Sequence, residues 1–452
     1  MKKQLMTFVA LAALSVGVYS SVDAKKSHTS SPITQNADDA LTPSAQSLRS
    51  LVDYAVAHNP DVNAARQRHL GALARVPQAT ALPEPKLTYR YFVDEVETRV
   101  GPQEHGIGFS QTLPWFGKRS LQGEAATEAA KASAARVASI QNAVIADVAS
   151  AWYELFYLGQ TIEIVRGNRD LVLHLEQVAR ARYGTGAATH ADVIRAQVEL
   201  ATIENRLASL RDRRAPLFAQ MNALINRPTT EMFTLPKALT RSAVNYTDEE
   251  LLEKVSLNNP ALRATSFDIE SAYRQRDRAN KNYLPDVTVG VDYIATGDAR
   301  MSGVSGSGDD ALSATIGFTL PIWRSKYDAG VKEADATLAQ HQFKRDQQLN
   351  TFHAQTVTAL FKLRDAERQI SLYENTLLPK ANESLVATQR AYSAGAAPFT
   401  DMIDAQRVLL SFELSFARAI TDHNQARIVL EKLTGEPLTK QPSIISQVEV
   451  SS

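Results

Sequence analysis

The chain contains no cysteine. That excludes disulfides, thiolate metal sites and a lipid-modified N-terminal cysteine. It carries no charge surplus either: Lys+Arg and Asp+Glu are 49 each, so net charge gives no argument for nucleic acid, and no such partner is expected. Aromatic residues are scarce at 7%, although hydrophobic residues reach 44%. Alanine supplies much of the apolar content, and alanine-rich chains form long helices readily. The nine histidines are scattered, without HExxH or other metal-ligand spacing. Gly303-x-x-Gly306-x-Gly308 falls in a loop between two strand patterns, not between a strand and a helix, so it does not argue for phosphate binding. No catalytic constellation, metal or cofactor is expected, and the chain is not read as an enzyme.

What is present begins with an address. Met1-Lys2-Lys3 followed by the apolar run Leu5 to Tyr19 reads as a signal peptide over 1–24, with cleavage after Ala24. A membrane anchor is the alternative, but a spanning helix needs ~20 apolar residues. No later run is apolar for long enough to cross a membrane as a helix. Residues 25–43, rich in Ser, Thr, Asp and Pro, read as a flexible leader.

The rest of the chain is a duplication. Tyr392 minus Tyr183, Asp401 minus Asp192, Gln406 minus Gln197 and Pro437 minus Pro228 all equal 209, and a constant offset means a repeated unit. The offset is 200 at Asn59 and Asn259 and 207 at Leu113 and Leu320, so a net insertion of seven (207 minus 200) lies between them. The first repeat is expected over 44–228 and the second over 249–437, with a linker over 229–248 and a tail over 438–452. Each opens with a short helix that stops before Asn59-Pro60 or Asn259-Pro260.

Four segments alternate at period two. Leu87, Tyr89, Tyr91 and Val93 share one face of the first, and the same alternation runs through Ile107–Leu113, Asp286–Tyr293 and Leu312–Leu320. Their apolar faces oppose faces of Gly, Ser, Thr and Asp, so hairpins are expected at 86–113 and 285–320. One reading is two soluble hairpins packed on a core. The other, favoured by the export signal and the lack of a helical anchor, is apolar-out membrane strands. Four strands cannot close a barrel, whose smallest single-chain forms have about eight. Membrane strands here would need several chains per barrel.

A Leu-Pro pair follows each hairpin, at Pro114 and Pro321, where proline suits a first helical turn. Long helices are expected over 114–183 and 321–392, the second broken at Pro379. Glycine turns then lead into return helices over 190–226 and 399–434, stopped at Asn226-Arg227-Pro228 and Gly435-Glu436-Pro437. Such lengths argue for a coiled-coil-like bundle or tube.

The order helix, hairpin, very long helix, glycine turn and return helix, repeated behind a signal peptide, resembles the TolC family of outer-membrane efflux channels. The residues that carry the resemblance are Tyr392-Ser393-x-Gly395-x5-Asp401-x2-Asp404-x-Gln406, the two Leu-Pro pairs and the 209-residue offset. It implies a mainly α fold with a membrane β-barrel portion, built as a homotrimer in the outer membrane of a Gram-negative bacterium. Three chains of four strands and four tunnel helices would make a 12-stranded barrel and a 12-helix tunnel across the periplasm. It also implies contact with outer-membrane lipid, a periplasmic adaptor protein and an inner-membrane pump of the resistance-nodulation-division type. The segment Gln111 to Arg119 is similar to the branch that serves heavy-metal pumps, which makes heavy-metal cations the expected cargo. Drug efflux, type I secretion and a pore-less periplasmic coiled coil remain as alternatives.

The resemblance implies that Asp401 and Asp404 ring the pore. Three residues apart on a helix, they share a face, and a trimer would present six carboxylates. Asp401 could equally just complement its helix N-terminus. Asp192, with Tyr392 as partner, would tie neighbouring helices together, while Thr189-x-x-Asp192 also reads as a capping box. The family's turn arginine is matched by Ala397, leaving Arg195 and Arg390 as substitutes. Gly186 and Gly395 are expected to make the tight turns through positive φ and to meet the adaptor.

Overall fold

The computed structural model describes residues 47–239 and 244–438. The expected signal peptide, the leader, the first residues of the 44–58 helix, the middle of the linker and all but the first residue of the tail lie outside the described residues.

The chain opens with α1 (Leu48–His58) and α2 (Pro60–Thr80). Asn59 joins them: its side chain accepts from the N–H groups of Asp61 and Val62, and Pro60 fills the first position of α2. Asn-Pro, expected from the sequence only as a stop, also starts a helix. The same device recurs at Asn259, between α6 (Asp248–Asn258) and α7 (Pro260–Lys281). Each asparagine also donates to the end of a return helix, Asn59 to the Leu224 carbonyl and Asn259 to that of Leu433, both at 2.8 Å. Leu433 minus Leu224 is again 209.

Strands β1 (Lys86–Thr98), β2 (Gly101–Leu113), β3 (Val287–Thr296) and β4 (Ala311–Phe318) form one antiparallel sheet in the order β1-β2-β3-β4. The register aligns Leu87 with Phe109, Phe109 with Val291, and Val291 with Ala314; it also aligns Gln111 with Val289 and Val289 with Ile316. One face is therefore mostly apolar and outward: Leu87 is 74% exposed, Val93 85% and Ile316 68%. The opposite face carries Thr88, Gly108, Ser110, Thr288, Gly290, Thr315 and Gly317. β1 and β4 are left as open edges.

α3 (Lys118–Gly184) follows β2 and has 67 residues, roughly 100 Å at the rise of an α-helix. Pro114 is not in its first turn as expected. The chain needs a left-handed residue, Gly117 at φ +84°, to swing from strand to helix. Asp286 holds that swing, accepting from Trp115 N at 2.9 Å and from Lys118 Nζ at 2.8 Å. Likewise α8 (Arg324–Leu372) begins three residues after Pro321.

The first return helix is two pieces, α4 (His190–Asp212) and α5 (Arg214–Leu224). Pro216 lacks an N–H and its ring would meet the Asp212 carbonyl of a regular helix, and here the helix breaks at Arg213. In the second long helix Pro379 does not break the path. A π turn at Tyr373–Leu377 widens the helix just ahead of it, and α9 (Leu378–Ser393) continues. α10 (Phe399–Thr434) is the second return helix.

α6 packs Leu251 against Ala359, Leu360 and Leu363 of α8 and Ala426 and Leu430 of α10. A second core joins α3, α4 and α10 through Leu158, Ile162, Val165, Ile203, Leu207, Leu410 and Leu414. Arg427 and Glu431 are buried as an ion pair at 2.7 Å, and Arg427 also donates to the Tyr153 hydroxyl at 3.0 Å. Removing one partner of such a pair leaves a buried charge without compensation.

α10 ends at Gly435, φ +73°, where a Cβ would stand 2.8 Å from the Asn258 carbonyl oxygen. Asn226, φ +58°, occupies the matching place after α5. Gly435→Ala is expected to lower the thermal midpoint by an amount equivalent to about 1–2 kcal/mol or more. Gly184→Ala, a helical position with nothing within 4 Å of the added carbon, is expected to melt at or slightly above the parent. Equal melting of all three proteins would remove the clash from the account.

Candidate gate at the two helical turns

The turns that end α3 and α9 are the same structure twice. The N–H of Ala187 donates to the Arg182 carbonyl at 2.8 Å, and that of Gly186 to the Tyr183 carbonyl at 3.0 Å. In the second turn Ala396 donates to Ala391 at 2.8 Å and Gly395 to Tyr392 at 3.0 Å. This double bond closing on a left-handed residue is a Schellman motif. Gly186 at φ +74° and Gly395 at φ +77° supply the left-handed residue. Both glycines are exposed.

Arg182 joins the two turns. Its Nη1 donates to the Tyr392 carbonyl at 2.5 Å and the Ser393 carbonyl at 2.8 Å, and its Nη2 to the Ala187 carbonyl at 3.2 Å. Its guanidinium carbon also lies 4.7 Å from the Tyr392 ring centroid. A cation thus sits where two helix C-termini converge, each the negative end of a dipole. In the sequence Arg182 is only one member of a helical stripe. Two of the three carbonyls in its fork come from residues more than two hundred positions away, which no local pattern announces.

Tyr392 is buried against Phe399, Met402, Ile403, Leu175 and Val193, and its hydroxyl has no partner among the described residues. Burial pushes this phenol up from its usual range; Arg182 pulls it down and the Asp192 charge pushes it further up. Asp192, expected as the partner of Tyr392, acts on it through its charge and not through a hydrogen bond. Asp192 Oδ2 instead accepts from Thr189 N at 3.1 Å and Thr189 Oγ1 at 2.8 Å, closing the capping box of α4. A carboxylate is held there because N–H donors at a helix start are otherwise unsatisfied.

Asp401 and Asp404 are both exposed on one side of α10. Asp401 lies in the first turn, and Asp404 reaches Arg407 only at 3.7 Å with 72% of its side chain exposed. Arg407 is committed more closely to buried Glu199 of α4, at 2.6 Å. Gln406 donates to Asn168 of α3 at 2.6 Å in a buried pair. Of the expected substitute arginines, Arg195 pairs loosely with Asp192 at 3.5 Å and Arg390 is exposed. Ala397 contributes no charge. Behind the turns Glu176, on α3, is held below the usual carboxylate range by its hydrogen bond from Arg180.

The family described as outer membrane efflux protein matches the chain twice, over residues 51–227 and 251–436. The cobalt-zinc-cadmium resistance protein CzcC of Cupriavidus metallidurans is 22% identical over 399 residues, covering 86% of this chain and 90% of the relative. Outer membrane protein TolC of Vibrio cholerae serotype O1 is 21% identical over 405 residues, covering 86% and 91%. The solved structure of the outer membrane protein VceC from Vibrio cholerae has a TM-score of 0.72 at 19% identity and covers 86% of this chain and 96% of that one. At that identity the likeness is one of fold. Two successive family matches over most of the sequence settle the assignment: the chain belongs to the outer membrane efflux protein family and is an efflux channel of the outer membrane.

Proposed function

We propose that three copies of this chain form a passive exit duct, with a 12-stranded barrel in the outer membrane and a 12-helix tunnel through the periplasm. The observation that carries this reading is the open four-stranded sheet with an exposed apolar face. Unpaired strand edges are not tolerated in lipid, so neighbouring chains must pair β4 with β1. Exposed apolar side chains on the flanking helices support the same joint: Phe343, Val357 and Phe361 on α8, Leu70 and Leu73 on α2, Ile194 and Val198 on α4.

A duct needs no chemistry of its own, and its family is one of channels, not of enzymes. Energy and choice of cargo come from an inner-membrane pump of the resistance-nodulation-division type, reached through a periplasmic adaptor that meets the turns at Gly186 and Gly395. The relative named for cobalt, zinc and cadmium resistance favours heavy-metal cations as cargo. Drug efflux or type I secretion would use the same duct with another pump. The exposed pair Asp401 and Asp404 would line its periplasmic mouth. Tyr392 and Asp192 sit beside that mouth, and Arg182 is the clasp that keeps the two turns of a chain together.

Because the chain has no native cysteine, Thr88→Cys on β1 and Thr315→Cys on β4 give a clean pair for a bifunctional maleimide. The doubly substituted protein is expected to cross-link into a ladder ending at the trimer. Intramolecular products alone, or a ladder ending elsewhere, would overturn the assembly.

For the gate, Arg182→Ala is expected to raise single-channel conductance in planar bilayers, with Arg182→Lys between it and the parent because an ammonium cannot fork across three carbonyls. The double variant Asp401→Ala, Asp404→Ala is expected to lose cation selectivity and blockade by multivalent cations. Parental conductance in the first series would exclude the clasp. Parental selectivity in the second would put the carboxylate ring elsewhere.

A further inference from the structure

A groove between α3, α9 and α10 holds a carboxyl group that nothing in the described chain answers. Glu413 of α10 is half-buried there, and burial alone displaces its carboxyl, which it pushes up from the usual range. No ion pair or hydrogen bond acts on it among the described residues. Its surroundings are mostly apolar: Phe156 and Ile164 of α3, Leu378 of α9, and Leu409, Phe416 and Ile420 of α10, with two neutral amides, Asn382 and Gln160, the latter donating to the Lys237 carbonyl at 3.0 Å. The groove encloses 390 Å³, within the range of small-molecule sites. Among the described residues, Glu413 is the only ionisable one lining it.

The backbone has been shaped at this point. The π turn Tyr373–Leu377 ends immediately before Leu378, and one residue added to a helix rotates the downstream turns by about 100°. That rotation sets which face of α9 is turned to α10, and Leu378 and Asn382 on this face line the groove. Contrast Glu431, also on α10, which is more deeply buried but carries Arg427 at 2.7 Å and a backbone N–H. A half-buried carboxylate without such partners is unfavourable for folding, and a ligand that completes it recovers that loss.

We propose that this groove binds an organic cation with an apolar body, its charge against Glu413 and its rings or alkyl arms against Phe156, Leu378 and Phe416. An anion would be repelled. A neutral molecule would cover Glu413 without pairing it. An inorganic cation would leave the apolar walls wet, and hard divalent ions require six or more oxygen ligands where one carboxylate is present. A cation over aromatic walls gains from the ring faces as well. The site is separate from the turns and does not depend on the gate described above.

Equilibrium binding of tetraphenylphosphonium tests this, using the purified full-length protein in lipid nanodiscs with the signal of empty discs subtracted. Saturable binding with one site per chain is expected. Glu413→Gln, which keeps the shape and removes only the charge, is expected to weaken it roughly tenfold or more. Phe416→Ala is expected to weaken it with the carboxylate intact, and uncharged triphenylphosphine oxide is expected not to compete. Binding that matches empty discs, an unchanged affinity in both variants, or effective competition by the neutral oxide would each overturn the proposal.

Discussion

The two unpaired edges of the sheet govern the rest of the molecule. β1 and β4 each present backbone donors and acceptors with no strand beside them among the described residues, along a face whose side chains are Leu87, Tyr89, Ile107, Val291 and Ile316. In hydrocarbon each unsatisfied group costs several kcal/mol. No rearrangement within one chain removes the problem, since four strands are too few to curl shut. In the proposed trimer the remedy comes from further copies, and it constrains the helices too. α3 and α8 each leave the sheet through a short segment held close to it, the first by Asp286 on Trp115 and Lys118. In that trimer the symmetry that closes the strands would be handed on to α3 and to the path from α8 through the π turn to α9, each roughly 100 Å long.

Over that distance small errors of direction would accumulate, and polar devices at fixed stations oppose this. Asn59 and Asn259 each start one helix and hold the end of another. Gln406 and Asn168 make a buried amide pair between α10 and α3, and Arg427, Glu431 and Tyr153 make another contact between the same two helices. Apolar stripes can slide past one another at little cost. A buried donor displaced from its acceptor loses the full desolvation penalty, so these stations act on register more than on total stability.

Much of this fold was legible in the residues because its elements are long and strongly periodic. The alternation in Leu87–Val93 and Asp286–Tyr293 marked strands, and Gly186 and Gly395 marked turns. The misreadings came from proline and asparagine, whose effect depends on their neighbours. Asn59-Pro60 ended one helix and began another. Pro114 needed Gly117 before a helix could start, Pro216 split a return helix, and the π turn absorbed Pro379. At the candidate gate the local chemistry was readable: the Thr189–Asp192 capping box is a spacing rule. Arg182 was not, because the carbonyls it joins meet only when two copies of the repeat fold against each other.

That last case points to where function enters a duplicated protein. Symmetric positions do structural work, as Gly186 with Gly395, Asn59 with Asn259 and Leu224 with Leu433 do. The positions that differ can act on the partner repeat. Arg182 is matched by Ala391, and Asp404 by Arg195, at the same 209-residue offset. If both turns carried the arginine, two guanidinium groups would crowd one junction and repel each other at short range. If neither did, the two helix ends would converge with like partial charges facing. One arginine on one turn is the arrangement that holds the pair.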